Sequence, residues 1–294
     1  MESDTSVLIK RKKLRPSFSI LMAARNSQET IGLAVKSALV AMNKVDKLLV
    51  FLDGCEDDTF LVLDKIKDAR LKVHVSQFPV GRSAARNFLS LVGKGAYFAV
   101  LDSDDVCLPW RLAITRRLLS KYDAVFGAAF LFGDLPHRIP IAMTYPFTLS
   151  EHLAPMVLAY RNPFVHSTSA LKRDTIIPGE LYQDIASEEY LLWIQMARNG
   201  LRLHRTAWPL AAYRFHERQV TKLENFYSTA DACPILNAAR DDLANTLMQQ
   251  LKGDLSLPGS DTNALNALAR HRSLIIRFEE LFLVRLRAFM QRSL

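Results

Sequence analysis

The sequence predicts an α/β fold built on a mostly parallel sheet with flanking helices, and three observations carry that expectation. From residue 17 to about 133, short apolar runs alternate with segments of helical periodicity. The length of 294 residues allows one large α/β domain or one domain plus an appendage, and a hydrophobic content of 49% allows a sizeable core. Polar residues Asn26, Asp53 and Asp102 each fall at the end of an expected strand, where ligands bind on such sheets.

The elements follow in order. Phe18–Ala23 reads as a first strand, and Ser27 stands as the candidate N-cap of the helix after it. In that helix Ile31, Ala34, Val35, Ala38, Leu39 and Met42 form one apolar stripe. Leu48–Leu52 is a buried strand, and Asp57 or Asp58 is placed to cap the helix carrying Leu61, Leu63 and Ile66. Leu71, Val73 and Val75 alternate as a strand, and a helix spans about Ser83 to Leu91. The apolar run Tyr97–Leu101 reads as a buried strand; a helix from Pro109 and a strand over Ala124–Phe132 come next. Strand–helix alternation implies right-handed crossovers. Residues 134–166 contain Pro136, Pro140, Pro146, Pro155 and Pro163, which predict loops and short helices beside the rim. A helix over Ser187–Asn199 ends at Gly200, with Ser187 as cap and Glu188 and Glu189 in the first turn. Beyond about 221 the chain becomes helical in character. Leu274, Phe278, Leu281, Phe282, Leu286 and Phe289 share one face there, among Arg277, Arg285, Arg287 and Arg292.

Composition narrows the function classes. No run of 18 apolar residues is present, so no membrane-spanning helix is expected. The N-terminus lacks the apolar segment of a secretion signal. Cys55, Cys107 and Cys233 are far apart and without metal-ligand spacing, which suits free thiols in a reducing cytoplasm. The net charge of +8 favours an anionic ligand or an anionic membrane surface. Nucleic acid fits poorly, because the basic run Lys10–Lys13 has no aromatic to stack on bases.

The run Asp102-Ser103-Asp104-Asp105 is the most informative stretch. If strand geometry continues past Leu101, the carboxylates of Asp102 and Asp104 leave on the same side. Such a pair is costly to bury without a cation, and it suits Mg²⁺ or Mn²⁺ completed by phosphate oxygens and water. The simpler alternative is a solvated acidic turn capping the next helix.

Taken together, Ala23-Ala24-Arg25-Asn26, Leu52-Asp53-Gly54-Cys55-Glu56-Asp57-Asp58-Thr59, Gly81-Arg82-Ser83-Ala84-Ala85-Arg86-Asn87, Leu101-Asp102-Ser103-Asp104-Asp105 and Ser187-Glu188-Glu189-Tyr190-Leu191-Leu192-Trp193, with the later Tyr213-Arg214-Phe215-His216, resemble the family-2 glycosyltransferases of the GT-A fold, in family order over about 17–220. The resemblance implies a GT-A, Rossmann-like sheet over 17–220, with a nucleotide-binding half at 17–133 and an acceptor half at 134–220. A basic arm at 1–16 precedes it and a helical extension at 221–294 follows. It implies an inverting, metal-dependent transfer of a sugar from a nucleotide-diphosphate donor, UDP-sugar favoured, to the hydroxyl of a glycan or lipid-linked acceptor in polysaccharide or glycolipid biosynthesis. The cofactor implied is Mn²⁺ or Mg²⁺, with Asp104, Asp102 and His216 as the metal set. Nucleotide-sugar contacts fall to Ala24, Arg25, Asn26, Asp53, Gly81, Arg82, Arg86, Asp102 and Ser103. Arg25 stands where the family often has Tyr, and a guanidinium can itself stack on a base. Glu189 occupies the position of the catalytic base, with Glu188 beside it. Successive helix residues point about 100° apart, so both cannot face one acceptor.

Each of these residues has a plainer reading. Asp53-Gly54 is also an ordinary turn signal. Arg86 also suits a helix-end or surface pair, and the two glutamates also suit a helix dipole. Trp193 reads as core, His216 also as a surface histidine, and His166 as a cleft residue. Two other functions compete. A sugar-1-phosphate nucleotidyltransferase needs a glycine-rich loop after the first strand, and Ala24–Thr30 has no glycine. A non-catalytic binding or membrane-assembly module is suggested by the basic N-terminal run and the arginine-lined C-terminal helix, which keep open a peripheral membrane contact.

Overall fold

The computed structural model describes residues 16–134, 142–216 and 226–254. Its first half alternates as the apolar pattern requires: β1 (Phe18–Ala24), α1 (Ile31–Ala41), β2 (Lys47–Asp53), α2 (Thr59–Asp64), β3 (Leu71–Ser76), α3 (Arg82–Val92) and β4 (Tyr97–Val100). After these come β5 (Val106–Cys107), α4 (Arg111–Leu118), β6 (Ala124–Gly133), β7 (Ala142–Thr144), α5 (Ala154–Leu158), β8 (Ala170–Lys172), α6 (Glu188–Arg198), β9 (Leu203–Phe215), α7 (Phe226–Asp231) and α8 (Pro234–Asp254).

The strands form one sheet in the order β3-β2-β1-β4-β8-β6-β9-β5, with β7 on β6. β3, β2, β1 and β4 are mutually parallel, as are β6 and β9; β8, β5 and β7 run antiparallel to their neighbours. Side chains alternate across the pleat. Ile20 and Met22 of β1 therefore pack with Ile31, Val35 and Ala38 of α1 on one face. Leu21 packs with Leu89 of α3 and Trp193 of α6 on the other. Trp193 is fully buried, as a core residue should be. The three cysteines are free thiols.

Several local expectations needed correction. Ser27 does not cap α1 with its hydroxyl; its carbonyl accepts the first helical bond from Ile31, while the hydroxyl faces Ser103. α4 begins at Arg111 rather than Pro109. Asp57, and not Asp58, makes the side-chain bond to the backbone N–H of Thr59 at the start of α2. Ser187 lies in the left-handed region (φ 60°) and makes no side-chain cap. Gly200 does end the following helix, at φ 72°, with Leu201 N–H donating to Met196 and Gly200 N–H to Ala197. The apolar face at 274–289 lies outside the described residues. Among the described residues, no helix is long and apolar enough to cross a membrane.

Candidate active site

The carboxyl ends of β1, β2 and β4 meet at one rim, and hydrogen bonds between their loops fix it. Asn26, at φ 47°, accepts the N–H of Glu56 at 2.9 Å through its side-chain oxygen. Ser27 N–H donates to Thr59 Oγ1 at 2.7 Å, and the Ser27 and Ser103 hydroxyls lie 3.0 Å apart. Arg25 is exposed on this rim, and Ala24 is buried beneath it. Asp53 is buried and accepts the N–H groups of Val80 (2.6 Å) and Gly81 (3.1 Å). Its carboxylate therefore ties the loop before α3 to the end of β2. Gly81 adopts φ 91°, which only glycine takes easily.

Strand geometry does not continue into the acidic run. β4 stops at Val100, and Asp105 N–H donates back to the Asp102 carbonyl, closing a turn. The turn sends the two carboxylates to different partners. Asp102 accepts from Arg86 Nη2 at 2.7 Å through one oxygen. Through the other it meets Ser167 Oγ at 2.9 Å and His166 Nδ1 at 3.3 Å. Burial works against ionisation of Asp102, but the charges of His166 and Arg86 and these hydrogen bonds outweigh it and hold the carboxyl well below the usual range. Asp104 instead faces His216, with Oδ2 and Nε2 2.9 Å apart. Its carboxyl is pushed up, first by burial and then by the charge of Asp102. Asp105 is buried, accepts Arg214 N–H at 2.8 Å, and is pushed well above the usual range by burial and by its two acidic neighbours.

Arg86 joins the acidic turn to α6. Its Nη1 bonds Glu188 Oε1, and Arg82 Nη2 lies 2.7 Å from the other oxygen of Glu188. Glu188 is 1% exposed and wholly committed to these guanidinium groups. Glu189, the next residue, is half-buried and has one hydrogen-bond partner among the described residues, the Asn162 amide at 3.5 Å. Burial pushes its carboxyl above the ordinary value; the charge of His166 opposes this and that of Glu188 adds to it. The two adjacent acids thus sit in opposite environments, as their 100° separation on the helix requires.

Residues that the sequence marked weakly or not at all complete the arrangement. His166 Nε2 lies 3.1 Å from the Tyr182 hydroxyl. Burial raises that phenol and keeps it un-ionised, so His166 is held between the Tyr182 hydroxyl and the Asp102 carboxylate. Asn87 clamps the Tyr182 backbone in both directions, at 2.8 and 2.9 Å. Arg214 Nε donates to the Asp104 carbonyl at 2.8 Å, and so β9 shapes the acidic turn. Asn87 and Arg214 lie inside recognisable motifs; nothing local singles out Asn162 or Tyr182, which reach the site only through the fold.

Asp104 and His216 fit a divalent ion as a partial ligand set. Their polar atoms converge, both side chains are partly exposed toward solvent, and a cation would relieve the repulsion that raises the Asp104 carboxyl. No group of three or more potential metal ligands occurs among the described residues, so phosphate and water would supply the remaining positions. Asp102, held by Arg86, His166 and Ser167, is not part of that convergence.

Comparison with known proteins gives a consistent result. The profile of Glycosyl transferase family 2 matches residues 19–177. The chain is 28% identical over 203 residues to the UDP-Glc:alpha-D-GlcNAc-diphosphoundecaprenol beta-1,3-glucosyltransferase WfaP of Escherichia coli, covering 69% of this chain and 79% of that one. It is 24% identical to the O-antigen biosynthesis glycosyltransferase WbnJ of Escherichia coli, covering 69% of this chain and 82% of that one. Among solved structures, S. aureus TarS 1-349 in complex with UDP-GlcNAc superposes with a TM-score of 0.60 at 16% identity, over 77% of this chain and 70% of that one. The mannosyltransferase PcManGT from Pyrobaculum calidifontis, in complex with GDP-Man and Mn2+, gives 0.56 at 15% identity, over 89% and 81%. At these identities the structural likeness establishes the fold.

Proposed function

Because the chain belongs to glycosyltransferase family 2 and is a nucleotide-sugar-dependent glycosyltransferase, we propose that it transfers a sugar from a UDP-sugar to the hydroxyl of a lipid-linked glycan, with inversion, in polysaccharide biosynthesis. The named relatives support the donor and acceptor classes, one being a glucosyltransferase acting on a diphosphoundecaprenol-linked GlcNAc. On this proposal the catalytic unit spans 17–220, with the donor half at 17–133 and the acceptor half at 134–220.

The observation that carries the mechanism is the division of labour between Glu188 and Glu189. Glu188 is held by two guanidinium groups and anchors the start of α6. Glu189 has a neutral partner and a carboxyl nearer the working pH, which suits a general base. Glu189 takes the proton of the acceptor hydroxyl as its oxygen bonds to the anomeric carbon. The bond from that carbon to the β-phosphate oxygen breaks, and the nucleoside diphosphate leaves. One displacement inverts the anomeric centre. Asp104 and His216 would hold a divalent ion, which would supply charge stabilisation to the departing diphosphate. A mixed carboxylate–imidazole set suits Mn²⁺ better than Mg²⁺, which prefers oxygen. Arg25 and the loops tied down by Asn26, Asp53 and Gly81 form the nucleotide side of the rim, Ser103 included.

The test is transfer from a panel of UDP-sugars to a polyprenyl-diphosphate-linked GlcNAc, with product configuration read by NMR. Glu189→Gln should lower transfer by roughly 10²–10⁴-fold with donor binding retained. Unchanged transfer, or a retained anomeric configuration, overturns the assignment.

A further inference from the structure

The flank of the sheet at β9 carries two exposed tryptophans that catalysis does not use. Trp208 sits where the β6–β9 register slips: Gly127 pairs with Thr206, but Ala128 already pairs with Pro209. The extra length pushes Trp208 outward, leaving it 63% exposed. Trp110, 42% exposed, donates its indole N–H to the Pro209 carbonyl at 2.7 Å, so it lies against the strand segment that carries Trp208. Two large aromatics exposed on adjoining backbone segments mark an interaction surface.

The charge around them identifies the partner. Trp110 directly precedes α4, and Arg117 is seven residues on, about 20° from the same helix face. Arg117 and Lys121 are exposed, and α4 contains no acidic residue. Arg116 on the same helix donates to the Pro16 carbonyl at 2.9 Å, so the first described residue lies beside α4. The sequence before it contains Lys10, Arg11, Lys12, Lys13 and Arg15. Indole rings held open to solvent next to a cluster of cations match the interface of an anionic bilayer.

We propose that this flank, Trp110 and Trp208 with the basic face of α4, docks the protein on an anionic membrane surface. The proposal deepens the lipid-linked acceptor reading of the active site and rests on it for its purpose, but the surface is tested without catalysis.

The full chain is mixed with vesicles of phosphatidylcholine alone or with phosphatidylglycerol, some bearing brominated acyl chains, and co-sedimentation and tryptophan emission are measured. The third tryptophan, Trp193, is fully buried and cannot reach lipid. Binding that requires the anionic lipid, with bromine quenching of the emission, is expected. Trp208→Ala should weaken vesicle binding several-fold, and Arg117→Glu with Lys121→Glu by roughly tenfold or more. Both variants should keep wild-type hydrolysis of the donor sugar, which separates failure of this surface from failure of the glycosyltransferase reading. Equal binding to neutral vesicles, unquenched emission, or variants that bind as well as wild type overturn the proposal. Concentration-dependent self-association lost in Trp208→Ala also overturns it, in favour of a contact between copies of the chain.

Discussion

Arg86→Met tests the buried bridge between the acidic turn and the helix bearing Glu189. The substitution keeps the aliphatic volume and deletes a guanidinium that contacts Asp102 at 2.7 Å and also bonds Glu188. The two acids are not left equally exposed. Asp102 keeps His166 and Ser167 and is partly open to solvent. Among the described residues Glu188 keeps the Arg82 ion pair alone, and the Arg82 side chain is 37% exposed while Glu188 itself is 1% exposed. Removing one partner of a buried ion pair costs about 3–5 kcal/mol, because the surviving charge stays desolvated. At about 2–4 °C per kcal/mol for a domain of this class, the melting temperature should fall by roughly 6–20 °C. Thermal and urea denaturation of Arg86→Met, Glu188→Gln and the double variant give the cycle. A buried charge that caused the loss is absent from the double variant, so the two effects should be non-additive by about 1–3 kcal/mol. A loss below about 1 kcal/mol in Arg86→Met, with additive effects in the pair, would refute the bridge.

Three further outcomes are expected. Gly54→Ala should destabilise the fold by about 1–3 kcal/mol in a denaturant melt, since Gly54 has φ +58° and an added Cβ would meet the Pro79 backbone nitrogen at 2.5 Å; wild-type stability would show that the β2 loop and the loop before α3 are not locked together. His204 stacks on Tyr122 at 4.2 Å, and burial lowers its pKa below the ordinary 6.5, with Glu151 only partly opposing. The unfolded chain therefore binds the proton more readily, so the stabilisation is complete above about pH 6.5 and is lost as pH falls toward the folded-state value; His204→Phe should flatten that part of the stability–pH curve. Mn²⁺ at about 100 times its dissociation constant, with UDP present, should stabilise the folded state by about 2.7 kcal/mol, and Asp104→Asn or His216→Gln should abolish the resulting rise in melting temperature; a persistent rise in both variants would place the ion elsewhere.

The fold was legible because its signals are local and repeated. Four apolar runs fell where β1, β2, β4 and β6 stand, because a strand buried on both faces admits few residue types, while the edge strand β3 showed itself by alternation. Boundaries were less legible. Ser27 and Pro109 carry genuine start signals, yet the Ser27 hydroxyl went to Ser103, 76 residues away, and α4 began two residues late. The candidate site was legible as a set of motifs but not as a set of partners. Asp102 and Asp104, two apart in sequence, ended with Arg86 and His216, which are 16 residues upstream and 112 downstream.

The sequence alone determined the alternating architecture, the acids gathered at one rim, and the family to which the chain belongs, since periodicity and motif order are written residue by residue along the chain. Only the tertiary structure decided which acid is tied down and which is left available. Whether a carboxylate is an anchor or a base depends on the charges facing it across space. Glu188 met two arginines from α3, and Glu189, one residue on, met the amide of Asn162 as its one hydrogen-bond partner among the described residues.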